Sequence, residues 1–250
     1  MRILDAHVHL GEDCVFDEVQ TEQEIIDTFN EYGVYGGIIQ PFIPRMYIKD
    51  TMAIHDRIAA MTRAYPNRFF GMMSMNPHFY REDYEKEAKR CIKELGFVGI
   101  KLTPIAHAAH PSNKDSIMVF EVARELGVPV MVHTGAGVPF ADPMQIAKPI
   151  EAFPDVKVVL AHGGGANMIT SAIYLALRYD NVYLEPSWVS VMNLEGMYKQ
   201  VGASKIMFSS DMLANLPVEL QKYNLVFKNE ADREQVFYKT VTEVFSLKLA

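Results

Sequence analysis

Eight apolar segments, each followed by a helical pattern, run through the sequence from end to end, and this alternation restricts the fold more than any other feature. The segments run from Ile3 to Val8, Gly36 to Phe42, Arg68 to Met75, Phe97 to Leu102, Val128 to His133, Val156 to His162, Asn181 to Glu185 and Lys205 to Asp211. Most are continuously apolar, which is the pattern of parallel strands covered on their outer face. Helical patterns fill the intervals: Thr21 to Tyr32, Asp50 to Tyr65, Tyr80 to Leu95, Asp115 to Leu126, Pro143 to Phe153, Ala166 to Arg178 and around Leu194 to Val201, with roughly Pro217 to Leu249 helical at the end. Thr21 and Glu24 have the spacing of a capping box, and Gly33, Gly96 and Gly127 close helices. Eight such units in 250 residues predict an α/β fold, a single (β/α)8 TIM barrel, in one domain over residues 1–250. The first strand lacks the G-x-G-x-x-G turn of a dinucleotide-binding sheet.

In a barrel of this kind the chemistry gathers where the strands end. On the first strand His7 and His9 are two residues apart, so their imidazoles point to one side, a natural start for a metal site. Lys101 ends the fourth strand, His133 the fifth, His162 the sixth and Asp211 the eighth. Each alone is explained by a hydrogen-bonded core residue. Six converging on one mouth predict metal binding. Barrel closure would set Asp211 beside the histidine pair.

The motifs Asp5-x-His7-x-His9, Val-His133-Thr-Gly, Leu-Ala-His162-Gly-Gly and Phe-Ser-Ser-Asp211 resemble those of the amidohydrolase superfamily. The resemblance is to the metal-dependent hydrolase and decarboxylase branch that includes aminocarboxymuconate-semialdehyde decarboxylase. It implies that His7, His9, His133 and Asp211 hold one divalent ion, Zn2+ or else Mn2+, and that His162 orients water or polarises the substrate. Such a ligand set leaves a coordination position open, where the pKa of a bound water falls toward ~7. Lys101 resembles the strand-four lysine that bridges two metals as a carbamate in dihydroorotase-like members. The reading preferred here is one metal and an ammonium Lys101 near the substrate.

Softer candidates complete the site. Arg45, after the second strand, suits a carboxylate clamp or a plain solvated loop charge. His107 and His110 lie in the loop after the fourth strand. Glu185 suits a supporting hydrogen bond and Trp188 a pocket wall. Asp5 is expected to serve structure, Cys14 to lie near the site, and Cys91 and the methionines to fill core.

The function expected is hydrolysis of a small, carboxylated substrate by metal-activated water, with Asp211 taking its proton and His162 and Lys101 assisting. The first alternative is non-oxidative decarboxylation in the same site. The second is a metal-free lactone hydrolase or a catalytically silent barrel. A net charge of −7 without a basic run argues against a nucleic-acid partner. Two cysteines, no room for a leader before the first strand, and no long apolar run lead to the expectation of a cytoplasmic protein off the membrane, free to form a homo-oligomer.

Overall fold

The structure, a computed structural model, describes residues 1–135, 137–165 and 167–249. Its centre is an eight-stranded sheet: β1 (Leu4–Glu12), β2 (Val19–Gln20), β3 (Gly36–Pro41), β4 (Phe69–Ser74), β5 (Gly99–Leu102), β6 (Val130–His133), β7 (Val158–Ala161) and β8 (Val182–Glu185). The order is β2-β1-β3-β4-β5-β6-β7-β8. All neighbours run parallel except β2, a two-residue return of the chain onto the end of β1. The sheet curls until its two ends share one extended segment. Ile206 bridges Leu184, and Asp211 bridges Val8. The Ala6 N–H donates to the Phe208 carbonyl at 3.0 Å, and the Asp211 N–H to the His7 carbonyl at 2.8 Å. The segment expected as the eighth strand, Lys205 to Asp211, makes only these two isolated bridges and forms no strand. The Phe208 N–H leaves the sheet and donates to Val236 O at 2.9 Å.

Side chains sort to the two faces of the curled sheet by the two-residue period of a strand. Ile39, Met73, Ile100, Val132, Leu160 and Leu184 face outward into the large core shared with the helices. Leu4, Ala6, Ile38, Met72, Met131, Val159, Ala161 and Met207 form a second, inner cluster, sealed at its base by Val241, Val244 and Phe245. Three of the inner residues are methionines, whose flexible thioethers fill an irregular interior. In β1 the period breaks. The register slips by one residue between Asp5 and Val8. A bulge of this kind re-aims a side chain. It lets Ala6 belong to the inner cluster while His7 and His9 also turn inward to the mouth.

The first helix, Glu22–Tyr32, has the capping box formed by Thr21 and Glu24 and ends on left-handed Gly33. Other helices differ from expectation for local reasons. The segment expected to be helical to Leu95 is α-helical over Arg81–Lys89 and π-helical over Arg90–Glu94. Pro149 has no N–H, so the helix begins only at Ala147, after a 3-10 turn over Pro143–Ile146. The helix expected from Ala166 starts at Ile169, and Ala166 itself lies outside the described residues. The C-terminal region is broken where Asn229 caps a new helix by accepting from the Asp232 N–H. No helix among the described residues is long and apolar enough to cross a membrane.

Behind β4 a buried polar knot fastens two helices to the sheet. The Ser74 N–H donates to His55 Nε2 at 3.2 Å, so Nδ1 carries the proton and donates to Glu87 at 2.7 Å. Arg90 donates to both Glu87 oxygens, and Cys91, which is core as expected, adds its thiol at 3.4 Å. Burial opposes ionisation of Glu87, yet the bonds from His55 and Arg90 bring its pKa down to about 2. Its contribution to stability is therefore complete above about pH 4.5 and lost as the pH falls through about 2. Glu87→Gln should cost ~1–3 kcal/mol at neutral pH. In parallel thermal melts of the two proteins that deficit should shrink as the pH is lowered from 4.5 toward 2.

Candidate metal centre at the strand ends

Glu185, at the end of β8 and fully buried, organises the mouth. Its Oε2 accepts from His7 Nδ1 at 2.9 Å and from the His162 N–H at 3.1 Å. Its Oε1 accepts from the Ser187 N–H at 2.9 Å and from the Ser209 hydroxyl. One carboxylate thus ties β1, β7 and the segments after β8 together. Asp5 makes a second tie. It accepts from the His7 N–H (3.1 Å), the Ser210 N–H (3.0 Å) and the Ser210 hydroxyl (2.6 Å). Burial pushes its carboxyl up to about 8, against those bonds.

The tautomers follow from the partners. His7 Nδ1 faces a carboxylate, and His9 Nδ1 faces the Pro41 carbonyl at 2.9 Å, so both protons sit on Nδ1. Both Nε2 atoms then present lone pairs. They lie 3.1 Å apart, with Asp211 Oδ1 3.0 Å from His7 and 3.2 Å from His9. Three electron-pair donors face one another here, with the Lys101 ammonium 3.0 Å from one of them, an arrangement that draws positive charge. These residues fit a divalent metal, and they form a group whose candidate ligand atoms all lie within 4.8 Å of one another. Burial first, and then the nearby Lys101, hold the His7 pKa well below its usual value, so the ring is neutral, as a ligand must be.

His133 stands beside that group rather than in it. Its Nδ1 is 3.1 Å from His162 Nε2, and its buried Nε2 has no hydrogen-bond partner among the described residues. Burial and the neighbouring His162 keep it neutral too. An orphaned imidazole nitrogen at the mouth is a further donor for an ion. Lys101, on β5, is buried, with Nζ 3.0 Å from His7 Nε2, and burial brings its pKa down to about 8. His162 holds Ser187 Oγ through Nδ1 at 2.8 Å, and burial lowers it to about 4. Asp211 resists burial through the histidines around it, which keep its carboxyl well below the usual range.

Backbone strain gathers here. His162, Trp188 and Asp211 all have left-handed φ, at +62°, +65° and +67°. Such conformations are uncommon outside glycine and are held by surrounding contacts. The glycines after His162 make the sharp turn expected of them. A Cβ on Gly135 would meet Gly165 Cα at 2.9 Å, so the loops after β6 and β7 cross backbone to backbone.

A cavity of about 410 Å³ opens over these groups. Lys101, His133, His162 and Asp211 line its floor, while Phe16, Phe42, Ile43, Ile105 and Trp188 form apolar walls. The Trp188 indole N–H donates to Asp211 Oδ2 at 2.7 Å. Arg45 and the exposed Cys14 line a neighbouring pocket instead. His107 is buried beside the mouth without lining it, and its Nδ1 has no partner among the described residues. His110 bonds Gln145 at 3.1 Å. Two features of the mouth escaped sequence reasoning. The β1–β2 loop brings Phe16 to the cavity, with nothing in its composition to mark it. Gln40, opposite His9 in the ladder, is buried with both amide atoms unpartnered among the described residues. A glutamine inside Gly-Gly-Ile-Ile-Gln was its only signal.

Fold and site together define a metal-site α/β protein with its polar groups at the ends of parallel strands. The chain belongs to the amidohydrolase family, whose model, described as Amidohydrolase, matches residues 4–247. Among curated proteins it is similar to a 2-keto-4-carboxy-3-hexenedioate hydratase of Sphingobium sp., 25% identical over 196 residues, 64% of this chain and 58% of that one. It is also similar to a 2-amino-3-carboxymuconate-6-semialdehyde decarboxylase of Dictyostelium discoideum, 28% identical over 134 residues, 45% of this chain and 37% of that one. The chain thus spans less than two thirds of either relative. Among solved structures, a dihydroxybenzoic acid decarboxylase of Polaromonas sp. JS666, with bound manganese and 2-nitroresorcinol, superposes with a TM-score of 0.81. It is 16% identical, with 100% of this chain and 98% of that one covered, and shares the fold.

A ligand that recognises only the folded arrangement raises stability by RT ln(1 + [L]/Kd). Added Mn2+ or Zn2+ at 100 times Kd should therefore stabilise the protein by ~2.7 kcal/mol. His7→Ala and Asp211→Ala should abolish the rise in Tm, as differential scanning calorimetry can establish.

Proposed function

We propose that the curled sheet is a closed (β/α)8 barrel forming one domain, and that the protein is a metal-dependent decarboxylase of a small, conjugated carboxylic acid. The observation that carries the reading is the group of His7 Nε2, His9 Nε2 and Asp211 Oδ1, of which His9 and Asp211 line a cavity with apolar walls. The naming of the relatives supports decarboxylation over the hydrolysis expected first, since both the curated muconate-type relative and the manganese-containing neighbour are decarboxylases.

Decarboxylation breaks the bond between a carbon and its carboxyl group, leaves the electron pair on that carbon, and replaces CO2 with a proton. A bound divalent ion supplies Lewis-acid polarisation of a substrate oxygen. Lys101, with its pKa near 8, holds a second anionic oxygen of the substrate. Phe16, Phe42, Ile43 and Ile105 exclude water from the face where the carboxylate leaves. Trp188 walls the substrate and holds Asp211 Oδ2. Asp211 passes to that carbon a proton taken up from solvent, and neutral His162 exchanges its Nε2 contact with His133 for the substrate oxygen on which charge develops. His133 completes the ligand set through its free Nε2. Arg45 and His107 enter only if the neighbouring loops move.

Hydrolysis of a carboxylated lactone or amide is the second reading, favoured by the family itself. Purified protein of known metal content, incubated with hydroxybenzoates and muconate-type acids, should release CO2 in proportion to substrate lost. Substrate cleavage with 18O incorporated from water and no CO2 would instead establish the hydrolase. One ion per chain is expected, and two would favour a carboxylated Lys101. His162→Asn should keep the ion and lower kcat by ~10²-fold or more. Near-normal turnover would remove His162 from the chemistry.

A further inference from the structure

The loop carrying Trp188 is held from behind by a buried ion pair that no role above uses. Glu219 and Lys222 stand three residues apart in the helix Leu216–Val226, 1% and 4% exposed, with Oε2 and Nζ 2.5 Å apart. The ammonium donates to the carbonyls of Pro186 (3.1 Å) and Val189 (3.0 Å). Glu219 Oε1 accepts the Trp188 N–H at 2.9 Å and the Asn215 amide at 3.1 Å. That same Asn215 nitrogen donates to the Ser210 carbonyl at 3.0 Å. The bonds of the pair thus reach the turn around Trp188 directly, and the residue before Asp211 through Asn215, and both Trp188 and Asp211 are left-handed. A buried ion pair seldom offsets its own desolvation, and apolar residues would fill the space as well. Its residue types are accounted for by what they hold.

We propose that Glu219 and Lys222 are a positioning pair. They fix the Pro186–Val189 turn so that the Trp188 indole N–H occupies Asp211 Oδ2 and leaves Oδ1 facing His7 and His9. The pair acts through Trp188 and touches neither substrate nor metal. Its effect on an ion rests on the reading of Asp211 as a ligand, while its effect on Trp188 does not.

Trp188 is the only tryptophan in the chain, so fluorescence excited beyond the absorption of the tyrosines reports this side chain alone. Glu219→Gln and Lys222→Met should shift its emission and raise its quenching by acrylamide. They should also weaken Mn2+ binding about tenfold, the scale on which removing a ligand's hydrogen-bond partner acts. Trp188→Phe should weaken Mn2+ to a similar degree, and adding Glu219→Gln to it should cost nothing further. A merely structural pair would give additive losses, and that result overturns the proposal. So does normal emission together with normal Mn2+ affinity in a folded variant. If Lys222→Met or Glu219→Gln does not fold by circular dichroism, Lys222→Arg, which keeps the charge but not the three-way contact, takes its place. If the unaltered protein binds no Mn2+, the ligand reading of Asp211 fails. The positioning proposal is then decided by Trp188 emission in Glu219→Gln and Asp211→Asn, and unchanged emission in both overturns it.

Discussion

A single buried carboxylate, Glu185, is the interaction on which the mouth depends. It receives His7 from the first strand, the backbone of His162 from the turn after β7, Ser187 from the following turn and Ser209 from the segment that joins the sheet's ends. A carboxyl group at the end of a strand is costly to bury unless its oxygens are hydrogen-bonded. The site is built under that condition. Filling Glu185 sets the tautomer of His7, which turns Nε2 toward His9 and Asp211. The chemistry at the rim follows from a hydrogen-bonding requirement in the interior.

Strand geometry alone would not deliver these side chains. The two-residue period places Met131 and His133, or Val159 and Ala161, on one face without further help. His7, His162 and Asp211 each need a departure from it. In β1 the departure is a slipped register, and at the other two it is left-handed backbone. Each departure is locked by a neighbour's hydrogen bond, as from His162 N to Glu185 and from Asp211 N to His7 O.

Much of this was legible. The apolar segments marked the parallel strands, because such strands are buried on both faces, but nothing marked the short antiparallel β2. The histidines and Asp211 stand out when only the C-terminal ends of the strands are read, since that is where side chains escape the core. Helix ends written in local chemistry, such as Thr21 with Glu24 and Gly33, fell as expected. What stayed hidden depends on contacts distant in sequence. The π turn at Arg90–Glu94 lies where Arg90 and Cys91 both reach Glu87, the slip in β1 is invisible in Leu-Asp-Ala-His, and nothing in Pro-Val-Glu-Leu-Gln-Lys marks a buried ion pair. Arg45 and His107 were plausible by position in their loops, but backbone position does not fix where a loop side chain comes to rest.

The segment at 206–211 has one more consequence. It is the seam of the sheet, and it brings Asp211 to residues 7 and 9 from the other end of the sequence. Joining residues so far apart in sequence carries a large loop-closure entropy. The three-donor group is therefore incomplete in any partly folded chain that lacks the seam, however well formed its other strands are. An ion held there bridges the first strand to the last, like a clasp on a band. The ability to hold it would mark the chains that have finished closing.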